Sequence, residues 1–250
     1  MPYGIYMSAQ GAQVQTQRLD VIANNLANVD TPGFKRDLAL FQARYAESVQ
    51  QGTATPGSGS LDDLGGGVAL EQTKTDFSPA TMKRTRVPTD VALPGEGFFQ
   101  VRKGDETLLT RAGNFRVNAT GELVTQQGYA VLSDNNTPIT LAPDGGPWEI
   151  TAAGTVVQSG SPQNLAIVKP GSLGDLVKTG DNLFRPLAGV QAVPAAERSV
   201  ASGYLEASGV DPTSEMVSMI ETSRFLEANV NVLKSQDQML EGLISRILKA

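Results

Sequence analysis

A chain of 250 residues with 40% hydrophobic content fits one large folded domain or two smaller ones and argues against disorder throughout. Its net charge of -6 argues against a general nucleic-acid binder, which needs a basic face to displace counterions from phosphates. Cysteine and histidine are both absent, which removes disulfides, thiolate nucleophiles, the serine-histidine relay and the ordinary zinc site. Catalysis would have to rest on carboxylates, Lys, Tyr or Ser, with the carboxylate-pair glycosidase the least excluded class.

No Lys or Arg precedes Arg18 and no long apolar run opens the chain, so a cleaved secretory signal is not expected. No segment reaches the roughly 20 apolar residues of a membrane span. Those signals alone point to the cytoplasm.

The spacing predicts a helix over residues 3–29. Ile5, Ala12, Leu19 and Leu26 repeat by seven, joined on the same side by Ala9, Ile22 and Ala23. Met7, Val14 and Val21 form a second series two residues on, about 200° around the helix and so near the opposite face. The helix should stop at Asn28-Val29-Asp30-Thr31-Pro32-Gly33-Phe34, where Pro32 pushes Thr31 out of helical geometry and Gly33 allows a sharp change of direction.

After Lys35 and Arg36, the stretch through Phe41 and Tyr45 reads as strand or helix. Residues 50–67 loosen into Gly, Ser, Thr and Pro and end in Gly65-Gly66-Gly67, which lacks the trailing Lys-Ser/Thr of a phosphate loop. Residues 35–67 are therefore expected to be a flexible connecting segment, with Asp62-Asp63 a solvated turn.

From Val68 the texture changes to short β-type runs. Val91-Ala92-Leu93, Gly97 to Val101 and Leu108 to Thr110 read as strands, with Lys103-Gly104-Asp105 a hairpin turn. Phe115 to Val117 and Glu122 to Val124 flank Asn118-Ala119-Thr120-Gly121, which matches a glycosylation acceptor but reads as a turn. Gly128 to Leu132, Pro138 to Leu141, Trp148 to Thr151, Thr155 to Val157 and Asn164 to Val168 continue the pattern. Residues 171–181 read as a polar excursion and 186–196 as an extended linker. Gly95-Glu96-Gly97 precedes a strand, not the helix that a dinucleotide fingerprint requires. No carboxylate pair can be placed across a cleft, so no catalytic, cofactor-binding or metal-binding residue is assigned.

At the C-terminal end, Asp211 can cap exposed amides and Pro212 fits the first helical position. Met219, Leu226, Leu233, Leu240 and Ile247 repeat by seven, with Met216, Val230 and Ile244 interleaved and two polar members, Ser223 and Asp237, able to fix register. Phe225, Val232 and Met239 form a flanking series. One partner helix covers only one stripe. Burying each remaining side chain is worth roughly 1.5–3 kcal/mol, enough in sum to drive association.

The expected fold is α+β: terminal helices forming a coiled-coil-like core around a mainly antiparallel β-barrel or sandwich. The expected divisions are 1–34, an N-terminal axial helix; 35–67, the connecting segment; 68–200, the β domain; and 201–250, a C-terminal axial helix.

These residues resemble the rod and hook proteins of the bacterial flagellum. The N-terminal run Leu19-Asp20-Val21-Ile22-Ala23-Asn24-Asn25-Leu26-Ala27-Asn28-Val29-Asp30-Thr31-Pro32-Gly33-Phe34-Lys35 carries the family motif, in particular Asn24, Asn25, Leu26, Asn28, Thr31, Gly33 and Phe34. Asp90 to Leu93, Gly95, Gly97-Phe98-Phe99 and Thr110 to Phe115 are similar to the family's β domain. Gly203 to Asp211, Met219-Ile220 and Arg224 to Asn229 are similar to its C-terminal helix. Two departures are Gly209, where Asn is common, and Phe225-Leu226, where an aromatic directly before Glu is usual.

The resemblance implies a non-enzymatic subunit of the drive shaft that carries torque from motor to hook, exported unfolded through the flagellar type III apparatus without a cleaved signal. That places its action outside the inner membrane and replaces the cytoplasmic inference. Implied partners are copies of itself and other rod proteins, packed helically with the terminal helices inside and the β domain outside, with no nucleic acid, cofactor or small-molecule substrate. The compact length and the segment Thr75 to Leu93 are most similar to proximal-rod members; distal-rod members are the close alternative, and hook proteins are usually longer. A competing reading is a secreted carbohydrate-binding β-module using Trp148 and Tyr129.

Overall fold

Two long helices open and close the chain in the computed structural model, which describes residues 3–43, 45, 49, 51–52, 65–142, 145–159 and 161–247. Helix α1 spans Tyr3–Ala27 and helix α2 spans Pro212–Ile247. Asp211 caps α2 as its position suggests: Oδ1 accepts from Thr213 N at 3.1 Å and its carbonyl from Glu215 N at 3.0 Å. Asp62-Asp63 lies outside the described residues. The polypeptide is α+β, with the β region between the helices mainly antiparallel.

The described chain forms two units. The first contains α1, α2 and a hairpin in which Asp37–Ala43 pairs antiparallel with Val68–Thr75. The stretch open to either structure after Arg36 is thus a strand, pinned at its start by Thr75 Oγ1 donating to Asp37 Oδ1 at 2.9 Å. A bulge between Leu40 and Phe41 shifts the register.

The second unit comprises Asn28–Arg36 and Phe77–Val210. Its nine-stranded sheet runs Leu176–Gly180, Leu183–Pro186, Glu106–Thr110, Phe98–Lys103, Ala130–Val131, Leu123–Val124 and Arg116–Val117, with Ile167–Pro170 and Val190–Ala192 off that path. The path does not close into a barrel. A three-stranded sheet, Trp148–Ile150, Thr155–Gln158 and Ser161–Asn164, stands apart from it.

Consecutive aromatics Phe98 and Phe99 are explained by alternation on a strand covered on both faces. Phe99, Val101 and Leu108 join the large core with Val91, Leu123, Ile139, Leu165 and Val200. Phe98 and Leu109 point the other way, into a cluster with Val168 and Phe184 that Phe77 closes. Edge-to-face contacts support both sides, Phe99 with Phe115 at 5.2 Å and Phe98 with Phe184 at 5.7 Å between ring centres.

Two stretches read from sequence as irregular contain strands. Residues 171–181 hold a 3-10 turn, Leu173–Asp175, and the strand Leu176–Gly180; residues 186–196 hold Val190–Ala192. Leu176 and Val190 are half-buried against the Phe98, Leu109, Val168 and Phe184 cluster, but each strand is too short and carries too few apolar residues to stand out as a strand, and backbone pairing with buried neighbours decides their conformation. The turn reading of Asn118 holds: Oδ1 accepts from Thr120 N at 3.0 Å and Glu122 N at 2.8 Å. Tyr129 and Trp148 are half-buried against the large core.

Candidate functional site

The motif after α1 is organised by a buried ion pair. Lys35 Nζ donates to Glu206 Oε1 at 2.6 Å and to Ser78 O at 2.8 Å, with the two side chains only 1% and 3% exposed. The same carboxylate oxygen accepts from Ala80 N at 3.2 Å, and the Glu206 carbonyl accepts from Gly33 N at 2.8 Å. Arg111 approaches Glu206 Oε2 at 3.7 Å while NH1 donates to the carbonyls of Leu93 and Gly95 at 3.2 and 2.9 Å. Burial pulls the Arg111 guanidinium below its ordinary value, opposed by Glu206 and then Glu96.

The rest of the motif loop is held by backbone acceptors. Asn182 Nδ2 donates to Pro32 O at 2.9 Å and Gly209 N to Phe34 O at 2.8 Å. Lys178 Nζ donates to Lys35 O at 2.6 Å and lies 4.3 Å above the Phe34 ring. Thr31 Oγ1 donates to Asn28 Oδ1 at 3.2 Å. Gly33 has φ +66, and a Cβ there would lie 2.5 Å from the Arg111 carbonyl carbon and oxygen. Only glycine satisfies both demands.

The chain enters this unit through Asn28–Arg36 and leaves it through Val210, and both ends are fastened at the same node. The arrangement is mechanical: a clamp of charge-assisted bonds that holds entry and exit segments to one β body. Among the described residues no group of acidic side chains could hold a metal ion. Among the same residues, no helix is long and apolar enough to cross a membrane.

In the helical unit, Asn25 of the motif is buried and bonds both ways to Asp37, its Nδ2 to the carbonyl and its Oδ1 from the amide, each at 2.9 Å. Asn24 is exposed, and Leu26 half-buried. On α1, Ile5, Ala12, Leu19 and Leu26 are half-buried, as are Met7 and Val21, while Val14 and Ile22 are buried. A Cβ at Gly67 would lie 3.6 Å from Met7 Sδ, so the hairpin covers part of the second series within the chain.

On α2, Met219, Leu226 and Leu233 are half-buried and Leu240 is exposed. Phe225, Val232 and Met239 are 57%, 45% and 66% exposed, and Leu243 and Ile244 continue the exposed apolar surface. The two helices run antiparallel beside one another: Gly4 faces Gln236 and Gly11 faces Asn229.

Sequence reading found the motif and the apolar series and placed Arg111 and Glu206 within stretches similar to the family, but it did not join them to Lys35 and gave no role to Lys178 or Asn182. These have no shared periodicity, and Lys35 and Glu206 are 171 positions apart. A lone charged residue at Glu206 inside the short strand Tyr204–Glu206 was the available signal.

Comparison with known proteins matches three parts of the chain to family descriptions: "Flagella basal body rod protein" over residues 5–35, "Flagellar hook protein FlgE/F/G D1 domain" over 92–158, and "Flagellar basal body rod FlgEFG protein C-terminal" over 201–246. The chain is similar to the Bacillus subtilis flagellar basal-body rod protein FlgG, 32% identical with 96% of this chain and 97% of that one aligned. It is similar to the Caulobacter vibrioides flagellar basal-body rod protein FlgF, 30% identical with 100% and 99% aligned. A FlgG of Borreliella burgdorferi is 31% identical over 96% of this chain and 97% of its own.

Proposed function

The chain belongs to the flagellar basal-body rod protein family and is a structural subunit of the rod, and from that premise we propose that it is a proximal-rod subunit of the FlgF type whose terminal helices join those of neighbouring copies and of other rod proteins. The observation that carries this is the exposed apolar surface of α2, where the described residues leave about half or more of Phe225, Val232 and Met239 uncovered. Large contiguous apolar surface of this kind marks an interaction site. In the assembly α1 and α2 form a coiled-coil-like core through the Ile5, Ala12, Leu19, Leu26 and Met219, Leu226, Leu233, Leu240, Ile247 series. The flanking series engages different neighbours.

Torque then passes through the packed helices, while the clamp around Glu206 holds the entry and exit segments of the β unit together. The subunit does no chemistry, and it reaches the rod through the flagellar export apparatus. The proximal assignment rests on the compact length and on the end-to-end alignment with the Caulobacter FlgF. The 32% identity to Bacillus FlgG favours the second reading, a distal-rod subunit.

Leu233→Asp tests the helical assignment. It places a charge in the seam, which is costly when buried without a partner, and should block incorporation into rods while the β unit stays folded. Normal rods from this variant would remove Leu233 from the interface. Imaging a label on the subunit along the rod separates proximal from distal.

A further inference from the structure

The apolar series that recur by seven on both helices cannot choose a register by themselves, because sliding one helix by seven residues places the same kinds of side chain opposite each other again. A different set of residues lies where α1 meets α2. Gly4 and Gly11 are seven apart on α1, and Gln236 and Asn229 are seven apart on α2; a Cβ at Gly4 would lie 2.8 Å from Gln236 Nε2, and one at Gly11 would lie 3.1 Å from Asn229 Oδ1. Each amide side chain fills the space a glycine leaves. Continuing the same antiparallel steps brings Arg18 level with Thr222 and Asn25 level with Glu215, and Asn25, Thr222 and Glu215 are each 1% exposed.

We propose that Asn229 and Gln236 on α2, seated against Gly11 and Gly4 on α1, are the register-determining residues of the terminal helix pair. This rests on the reading of the helices as assembly elements: one register fixes which apolar residues the pair consumes and which it leaves for neighbours. A slip of one heptad in one direction sets Asn229 against Arg18, where no glycine makes room. The opposite slip carries Gln236 beyond the start of α1 and sets Asn229 against Gly4. Gln236 Oε1 is buried with no hydrogen-bond partner among the described residues, so the seam gives up stability an apolar residue would supply. A polar group retained at such a position is how coiled coils trade stability for a unique register.

The chain has no cysteine, so introduced pairs report register without background. In the soluble full-length protein, Arg18→Cys with Thr222→Cys reads the native register, and Arg18→Cys with Glu215→Cys reads a one-heptad slip. Trapping captures even a transient pairing. The in-register intrachain disulfide should form at least tenfold faster than the slipped one. Asn229→Leu with Gln236→Leu should reduce that preference below threefold. Gly11→Asn should slow the in-register bridge tenfold, and Asn229→Gly added to it should restore the rate by exchanging peg and notch. Equal rates for the two pairs in the native background, a preference that survives loss of both amides, or bridges that form only between chains would overturn the proposal. Failure of the assembly reading shows separately, as normal rods from Leu233→Asp, because the cross-linking ratio does not depend on assembly.

Discussion

Lys35→Met removes the cation from the clamp while keeping much of the side-chain volume. Glu206 is then left 3% exposed with its charge held only by Arg111, 3.7 Å away, and by the amide of Ala80. Breaking a buried ion pair by removing one partner costs about 3–5 kcal/mol. With a urea slope of about 2 kcal/mol per molar for a unit of this size, the midpoint should fall by roughly 1.5–2.5 M. The protein provides its own reporter, because Trp148 is its one tryptophan and packs against the core of the same unit. Urea unfolding followed by Trp148 fluorescence is therefore the assay, with Lys35→Met/Glu206→Gln as the second variant. The double variant should recover part of the loss, since the stranded carboxylate is gone. A Lys35→Met midpoint within 0.3 M of the parent protein (roughly 0.6 kcal/mol at that slope), or strict additivity in the double variant, would refute the clamp.

Gly33→Ala combines a left-handed φ of +66 with a Cβ 2.5 Å from the Arg111 carbonyl, so it should destabilise the β unit by more than the ~1 kcal/mol of a simple glycine-to-alanine strain; a smaller midpoint change means the loop can relax. Asp181 is held below the usual carboxylate range by Lys103 and then by Tyr129 Oη, which donates to it at 2.8 Å. A lowered carboxyl stabilises the fold above its unfolded value near 4 and loses that contribution as pH falls through its folded value. Asp181→Asn keeps the φ of +54 that Asn tolerates and should flatten the acid limb of the stability profile, with an unchanged limb as the contrary result.

The helices were legible because seven-residue spacing survives any tertiary context, and Asp211-Pro212 marks a start that the Thr213 amide confirms. The motif end was legible through Pro32 and Gly33. Its purpose was not, because Lys35, Arg111 and Glu206 come from distant segments and meet only when the β unit closes. Leu176–Gly180 escaped notice as a short edge strand in which only Leu176 packs against a core cluster while Val177 is exposed. On α1 the apolar letters drew attention, whereas Gly4 and Gly11, which contribute no hydrophobic signal, set the close approach to α2. The hairpin covering Met7 was also invisible, since its two strands flank the Gly-rich segment read as linker.

The central claim is that α2 completes its packing only against neighbouring subunits. Amide hydrogen exchange measured on the dilute full-length chain and on assembled rods tests it directly. Residues from Phe225 to Ile244, among which Phe225, Met239, Leu243 and Ile244 have more than half of their surface exposed in the single chain, should slow by at least a hundredfold on assembly, while the sheet around Phe99 and Leu108 exchanges alike in both. Equal protection of α2 in the dilute chain and in the rod would contradict the account.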